Sequence, residues 1–365
     1  MIDPLLVDAH QDLAWNILTF GRDYSLPAEQ TRQVEQGNLA PQVNGDTLLG
    51  WPDYQRGRVA VIFSTLFAAP ARYKLGEWDH QCYTSDEEAH KVYSRQLDTY
   101  KRLIDEHPTM FRMIEKRPDL ESVLFHWQHE DTREHPVGLV ILMEGAEGVR
   151  EPAELEEWYQ RGVRIIGPAW AGTRFCGGTG EPGLLTKEGY ALLDHMAEFH
   201  FTLDLSHMDE KAALQALDAY QGPVIASHAN ALALLKESSS NRHLTDQVIE
   251  GLFKRGGIIG IVPTNGFLKP NWKDTGGRKS VTLDYVVSQI DYICQMAGDG
   301  RHIGIGSDFD GGFGLQSVPA EVNTIADLIK IIPLLSQKGY TETDITAILG
   351  GNWLAHLQGT LPEVL

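Results

Sequence analysis

Apolar and polar positions alternate along this chain on two scales. Short apolar runs rich in β-branched residues recur, and most are followed by a longer segment of helical period, the pattern of parallel βα units. The runs Leu5 to Val7, Val59 to Phe67, Val137 to Met143, Val163 to Ile166, Thr202 to Leu205, Val224 to Ala226, Ile258 to Val262 and Ile303 to Gly306 read as strands. They number eight, the count that closes a (β/α)8 TIM barrel. Glu87 to Glu106, Glu188 to His200, Glu210 to Ala219, Thr245 to Arg255, Leu283 to Met296 and Ile325 to Lys338 read as helices, the fourth opening on a Thr245 cap. Thr343 to Leu357 reads as a closing helix. The stretch from Gly21 to Arg58, rich in Gln, Gly and Pro, reads as a long βα loop over one face of the barrel. No run of Pro, Gly or Ser is long enough for an interdomain linker, and no fixed-period repeat occurs. Residues 1–365 are therefore expected to form a single barrel domain.

Composition narrows the function. Hydrophobic residues make up 42% and charged residues 22% of the 365 positions, the balance of a globular protein with a large core. Lys plus Arg number 31 against 50 Asp plus Glu, a formal charge of −19. Such a field repels polyanions, so no nucleic-acid partner is expected. Cys82, Cys176 and Cys294 form no CxxC pair and read as idle thiols. The segment Met1-Ile2-Asp3-Pro4 opens no signal-like region, and no apolar run reaches the roughly 18 residues that cross a bilayer. The expectation is a cytoplasmic protein with no membrane partner and a small-molecule substrate. A homodimer is compatible with the sequence but not required by it.

In an α/β barrel the active site lies at the carboxyl ends of the strands, so the polar residues after each apolar run are the informative ones. The first strand ends in Asp8-Ala9-His10-Gln11-Asp12, whose His10 and Asp12 project from one side of an extended segment. The third ends in Glu144-Gly145, a carboxylate whose two oxygens can bridge two metals. The fifth and sixth deliver Ser206-His207 and Ser227-His228 at the same point, and imidazoles so placed are good zinc ligands. The eighth ends in Gly306-Ser307-Asp308-Phe309-Asp310-Gly311, where Asp308 can bind metal, take a proton, or do both. Any one of these is weak, because a histidine after a strand is commonly structural. Six metal-competent side chains on five strand ends are not weak.

These residues resemble the renal or membrane dipeptidase family, metallopeptidases within the amidohydrolase-like barrels. The matching motifs run in family order over nearly the whole chain: Asp8-x-His10-x-Asp12-Leu13, Glu144-Gly145, Asp204-Leu205-Ser206-His207, Ser227-His228, Arg242 before Leu244-x-Asp246, and Gly306-x-Asp308-Phe309-Asp310-Gly311. The resemblance implies two zinc ions, one held by His10 and Asp12 and the other by His207 and His228, with Glu144 bridging. It implies that Asp308, beside the first zinc, accepts the water proton, and that Arg242 binds the substrate's terminal carboxylate. The implied reaction is hydrolysis of a dipeptide by a hydroxide activated between two metals. The rival readings are a related hydrolase of another small amide, lactam or ester, and a barrel that binds metal without turnover.

The chain departs from the family in the substrate pocket. Where the family carries a substrate-touching histidine after the fourth strand, this chain reads Gly167-Pro168-Ala169-Trp170-Ala171-Gly172. Trp170 offers one donor and a broad apolar face, which implies a taste for apolar side chains. Zinc is then expected to stabilise more of the developing charge alone, or a neighbour such as Arg174 or His243 to assist. The loop Pro263-Thr264-Asn265-Gly266 also lacks the aromatic expected there.

Overall fold

The computed structural model describes residues 4–129, 135–235 and 238–364. Among these residues eight parallel strands build the barrel: β1 (Leu6–Gln11), β2 (Val59–Phe67), β3 (Val137–Glu144), β4 (Val163–Gly167), β5 (Thr202–Asp204), β6 (Val224–Ile225), β7 (Ile259–Ile261) and β8 (Ile303–Ile305). Each pairs with its sequence neighbour, and β1 also pairs with β8 through Asp8 and Ile305. The ring closes at a single bridge between Ala226 and Ile259, where the Ala226 N–H donates to Ile258 O at 2.9 Å and the Gly260 N–H to Ala226 O at 2.8 Å. Every barrel strand is buried on both faces, which is why each read as a continuous apolar run rather than an alternating one.

The two faces still differ. Val7 and Ala9, Val61 and Phe63, and Val140 and Leu142 recur at period two and share one apolar cluster with Ile165, Ile225 and Trp353. Glu144 lies two residues beyond Leu142, so it continues that face to the carboxyl rim. The other faces pack on helices such as Asp86–Glu106, capped by Ser85 Oγ accepting from the Glu88 N–H, and Lys187–Glu198, capped by Thr186. Gly306 follows β8, and a Cβ there would stand 1.8 Å from the carbonyl oxygen of Ser227. That close approach lets the chain leaving β6 lean across the rim, carrying His228 with it.

The expected strands all form, with β1 running on to Gln11. The expected helices form within a few residues, but three readings need correction. Gly21 to Arg58 is not a plain loop: it holds the helices Ala28–Val34, Ala40–Val43 and Trp51–Gly57, the last with Pro52 in its first turn. Ile325 to Lys338 splits into a 3-10 segment Ile325–Lys330 and a helix Ile331–Gln337, because Pro333 has no N–H to continue a helix and fits only a first turn. The closing helix is interrupted by a π segment, Ala347–Gly351, at the weak helix formers Gly350 and Gly351. Thr245 does sit at the cap of Asp246–Lys254, but its side chain makes no capping bond. The helix Arg117–Gln128 was not anticipated. Among the described residues no helix is long and apolar enough to cross a membrane.

Candidate metal centre

Six side chains from five strand ends meet at the carboxyl rim. Glu144 Oε1 lies 3.1 Å from His207 Nε2 and 3.2 Å from His228 Nε2, while its Oε2 lies 3.7 Å from His10 Nε2. The two oxygens thus face two different groups. His10 Nε2 is 3.6 Å from Asp12 Oδ2 and 3.9 Å from Asp308 Oδ1. His207 Nε2 and His228 Nε2 approach to 3.0 Å. Potential ligand atoms of His10, Asp12 and Glu144, and likewise of Glu144, His207 and His228, fall within 4.8 Å of one another.

These atoms fit divalent ions. His10 is 1% exposed, yet neither ring nitrogen has a hydrogen-bond partner among the described residues, and Asp12 Oδ1 is equally unpartnered. Buried polar atoms are rarely left so, and imidazole with carboxylate is the donor set of zinc-type sites. Within the protein alone, burial works to lower the His10 pKa, but the negative charges of Glu144, Asp12 and Asp308 outweigh it and push it up to about 10. Burial pushes the Glu144 carboxyl upward and raises Asp308 to about 7. Burial, reinforced by the positive charges of His10 and Arg242, holds His207 and His228 well below the ordinary histidine value.

The backbone is bent to present these groups. His207 (φ 68°), Asp308 (φ 57°) and Asp310 (φ 64°) are non-glycine residues in the left-handed region, a strain of about 1–3 kcal/mol each that usually persists at functional sites. A ring of buried acceptors and donors holds them there. Asp204 Oδ1 accepts from the N–H groups of Ser206 and Ser227, and its Oδ2 accepts from Ser227 Oγ at 2.5 Å. Ser227 Oγ in turn lies 2.8 Å from His228 Nδ1, and Thr179 Oγ1 lies 2.9 Å from His207 Nδ1. Both imidazoles are thereby oriented with Nε2 toward Glu144. On the far side Asp8 accepts from the Ser307 N–H at 2.6 Å and hydroxyl at 2.5 Å. Asp310 anchors the Gly21 to Arg58 segment through Arg22, Tyr24, Thr47 and the Leu48 N–H. At Gly311 a Cβ would fall 2.0 Å from Asp308 Oδ1 and 2.9 Å from Asp12 Oδ2, so glycine keeps the space between those carboxylates clear.

A cavity of about 530 Å³ opens over the cluster, reaching Asp12, Glu144, His207, Asp308, Arg242 and Trp170. Arg242 is 4% exposed; one guanidinium nitrogen donates to His228 O at 2.7 Å, and the group lies 5.2 Å from the Phe267 ring centre. Its Nε and remaining terminal nitrogen are buried and have no hydrogen-bond partner among the described residues. Trp170 contacts Phe67 at 5.2 Å and Tyr73 at 5.6 Å between ring centres, and stands 6.2 Å from His207. The expected assistants do not reach the cavity. Arg174 is bound to Glu147 at 2.8 Å and Glu188 at 3.1 Å, and His243 packs edge-on against Phe267 outside the lining. The loop after β7 does supply an aromatic, one residue beyond Gly266: Phe267. Phe67, Tyr73 and Trp78 escaped the sequence reading; their signal was three aromatics at and just after the carboxyl end of one strand.

Fold and site together define a barrel hydrolase of the metal-dependent kind. The family model described as membrane dipeptidase, peptidase family M19, matches residues 1–359, and the chain belongs to that family. An uncharacterised protein in the pqqA 5′ region of Klebsiella pneumoniae is 33% identical over 276 residues, covering 72% of this chain and 94% of its own length. Dipeptidase ataJ of Aspergillus terreus is 24% identical over 380 residues, covering 96% and 83% respectively. A metallopeptidase of Rhodobacter sphaeroides, solved with a phosphinate mimic of the dipeptide L-Ala-D-Ala, superposes with a TM-score of 0.77 at 21% identity, over 98% of this chain and 100% of that one. That likeness shows the fold to be shared.

Proposed function

We propose that residues 1–365 form one catalytic domain that hydrolyses dipeptides carrying a free terminal carboxylate, at a pair of divalent ions, zinc by the chemistry of the donors. The observation that carries this reading is Arg242: a buried guanidinium with no carboxylate within 4.0 Å among the described residues, lining the same cavity as Asp12, Glu144, His207 and Asp308 of the metal-competent cluster. A planar fork of donors in that position suits a substrate carboxylate.

His10 and Asp12 would hold one ion with Glu144 Oε2, and His207 and His228 the other with Glu144 Oε1. When bound, the ions lower the pKa of water and polarise the scissile carbonyl. Asp308, beside His10 at 3.9 Å, is placed to take the proton of the attacking water and deliver it to the leaving amine. Arg242 fixes the carboxylate end, so the peptide carbonyl falls over the cluster. The dipeptidase names of relatives such as ataJ support the substrate class. Trp170, in place of the family histidine, favours one second reading: hydrolysis of another small amide, lactam or ester. A panel of dipeptides, N-acyl amino acids, lactams and esters on zinc-loaded and chelated protein tests both. Dipeptide cleavage lost on chelation is expected; cleavage confined to the other classes would favour the second reading.

A further inference from the structure

The cavity is chemically unlike at its two ends. On the β6 and β7 side sits the guanidinium of Arg242, packed on Phe267. Across the rim, the residues at the ends of β2 and β4 present Phe67, Tyr73 and Trp170, joined by ring contacts of 5.2 and 5.6 Å, with Trp170 reaching to within 6.2 Å of His207. The eight-stranded order places these two groups on opposite arcs, with the cluster of Glu144, His207 and His228 between them.

We propose that the enzyme selects dipeptides by their amino-terminal residue, requiring a large aromatic or apolar side chain there. The proposal rests on the dipeptidase reading above. In a dipeptide the scissile carbonyl belongs to the amino-terminal residue and the free carboxylate to the other. With the carboxylate on Arg242 and the carbonyl over the cluster, the amino-terminal side chain points to the β2–β4 arc. There it meets three rings rather than a polar group. The wall is preformed: Arg72 donates through Nε and a terminal nitrogen to the two oxygens of Glu181, both at 2.6 Å, and to Gly172 O at 2.8 Å. This forked contact ties the segment bearing Tyr73 to the hairpin that follows Trp170, so binding orders little that is not already ordered. A volume of about 530 Å³ lies within the range that encloses drug-sized ligands and exceeds what two small residues fill.

The test compares phenylalanyl-glycine, leucyl-glycine, alanyl-glycine and glycyl-phenylalanine on the zinc-loaded protein. We expect kcat/KM for phenylalanyl-glycine to exceed that for alanyl-glycine by roughly ten- to a hundredfold. Glycyl-phenylalanine should gain no such advantage. Trp170→Ala should shrink the ratio of phenylalanyl- to alanyl-glycine by about tenfold, and Trp170→Phe should retain most of it. Equal rates across the series, a preference for glycyl-phenylalanine, or a ratio unmoved in a Trp170→Ala protein of normal Tm and metal content would overturn the proposal. Cleavage of none of the dipeptides would sink the dipeptidase reading itself. Calorimetry then decides the wall separately: tighter binding of phenylalanyl-glycine than alanyl-glycine upholds it, and equal binding overturns it.

Discussion

Replacing Arg242 with Met separates substrate recognition from catalysis and from folding. The side chain is buried, its charge is offset by no ion pair among the described residues, and burial lowers its pKa despite the pull of Asp308 and Glu144. Methionine keeps the apolar stem against Phe267 and removes a poorly compensated charge, so the fold should survive; the main local loss is the donor to His228 O. The functional loss is larger. A guanidinium lining the cavity can make a charge-assisted contact with a substrate carboxylate, worth about 1.5–3 kcal/mol, or roughly one to two powers of ten in KM. The assay compares a dipeptide with its C-terminal amide on wild-type and variant protein, with Tm and metal content measured alongside. The dipeptide should lose that factor and the amide much less; Arg242→Lys should recover part of the dipeptide loss as a point charge. Equal losses for acid and amide would show that Arg242 serves the rim and not the substrate.

Glu144→Gln removes charge from the bridge while keeping its shape, and should lower bound metal and activity together; unchanged metal content would remove Glu144 from the ligand set. Ser227→Ala cuts the link between Asp204 and His228 Nδ1, and zinc affinity should fall about ten- to a hundredfold with little change in fold, as competition against a chelator would reveal. An unaltered affinity would mean the hydroxyl only fills space. Metal loading should also release protons. The His10 imidazole, held up to about 10 by its carboxylate neighbours, is protonated at neutral pH in the metal-free protein and must lose that proton to become a ligand. Zinc affinity should therefore rise with pH between about 6 and 9, by up to about tenfold per unit for each proton displaced. Titration in buffers of different ionisation heat counts those protons, and a count near zero would contradict the electrostatics of the cluster.

The strand ends were legible because barrel topology converts a sequence position into a spatial one. His10, Glu144, His207, His228 and Asp308 each follow an apolar run, and the structure brings them together. The groups that orient them were harder to see. Asp204 reads as an interior residue of the strand Thr202 to Leu205, and its bonds to Ser206 and Ser227 depend on β5 lying beside β6 in register, with Leu203 opposite Val224. Thr179 reaches His207 from a hairpin whose position no periodicity encodes. The aromatic wall was missed for the same reason: Tyr73 ends a single 3-10 turn, Ala71–Tyr73, and contacts distant in sequence, such as the Arg72 to Glu181 pair separated by 109 residues, fix where it stands. The helices between Gly21 and Arg58 are four to seven residues long, too short to show a hydrophobic period.

The most direct measurement is a zinc titration of metal-free protein that follows hydrolysis of phenylalanyl-glycine. Activity should climb to a plateau at about two ions per chain, as the division of Glu144 between His10 on one side and His207 with His228 on the other requires. A plateau at one ion, or hydrolysis that persists with no metal bound, would contradict the binuclear dipeptidase site.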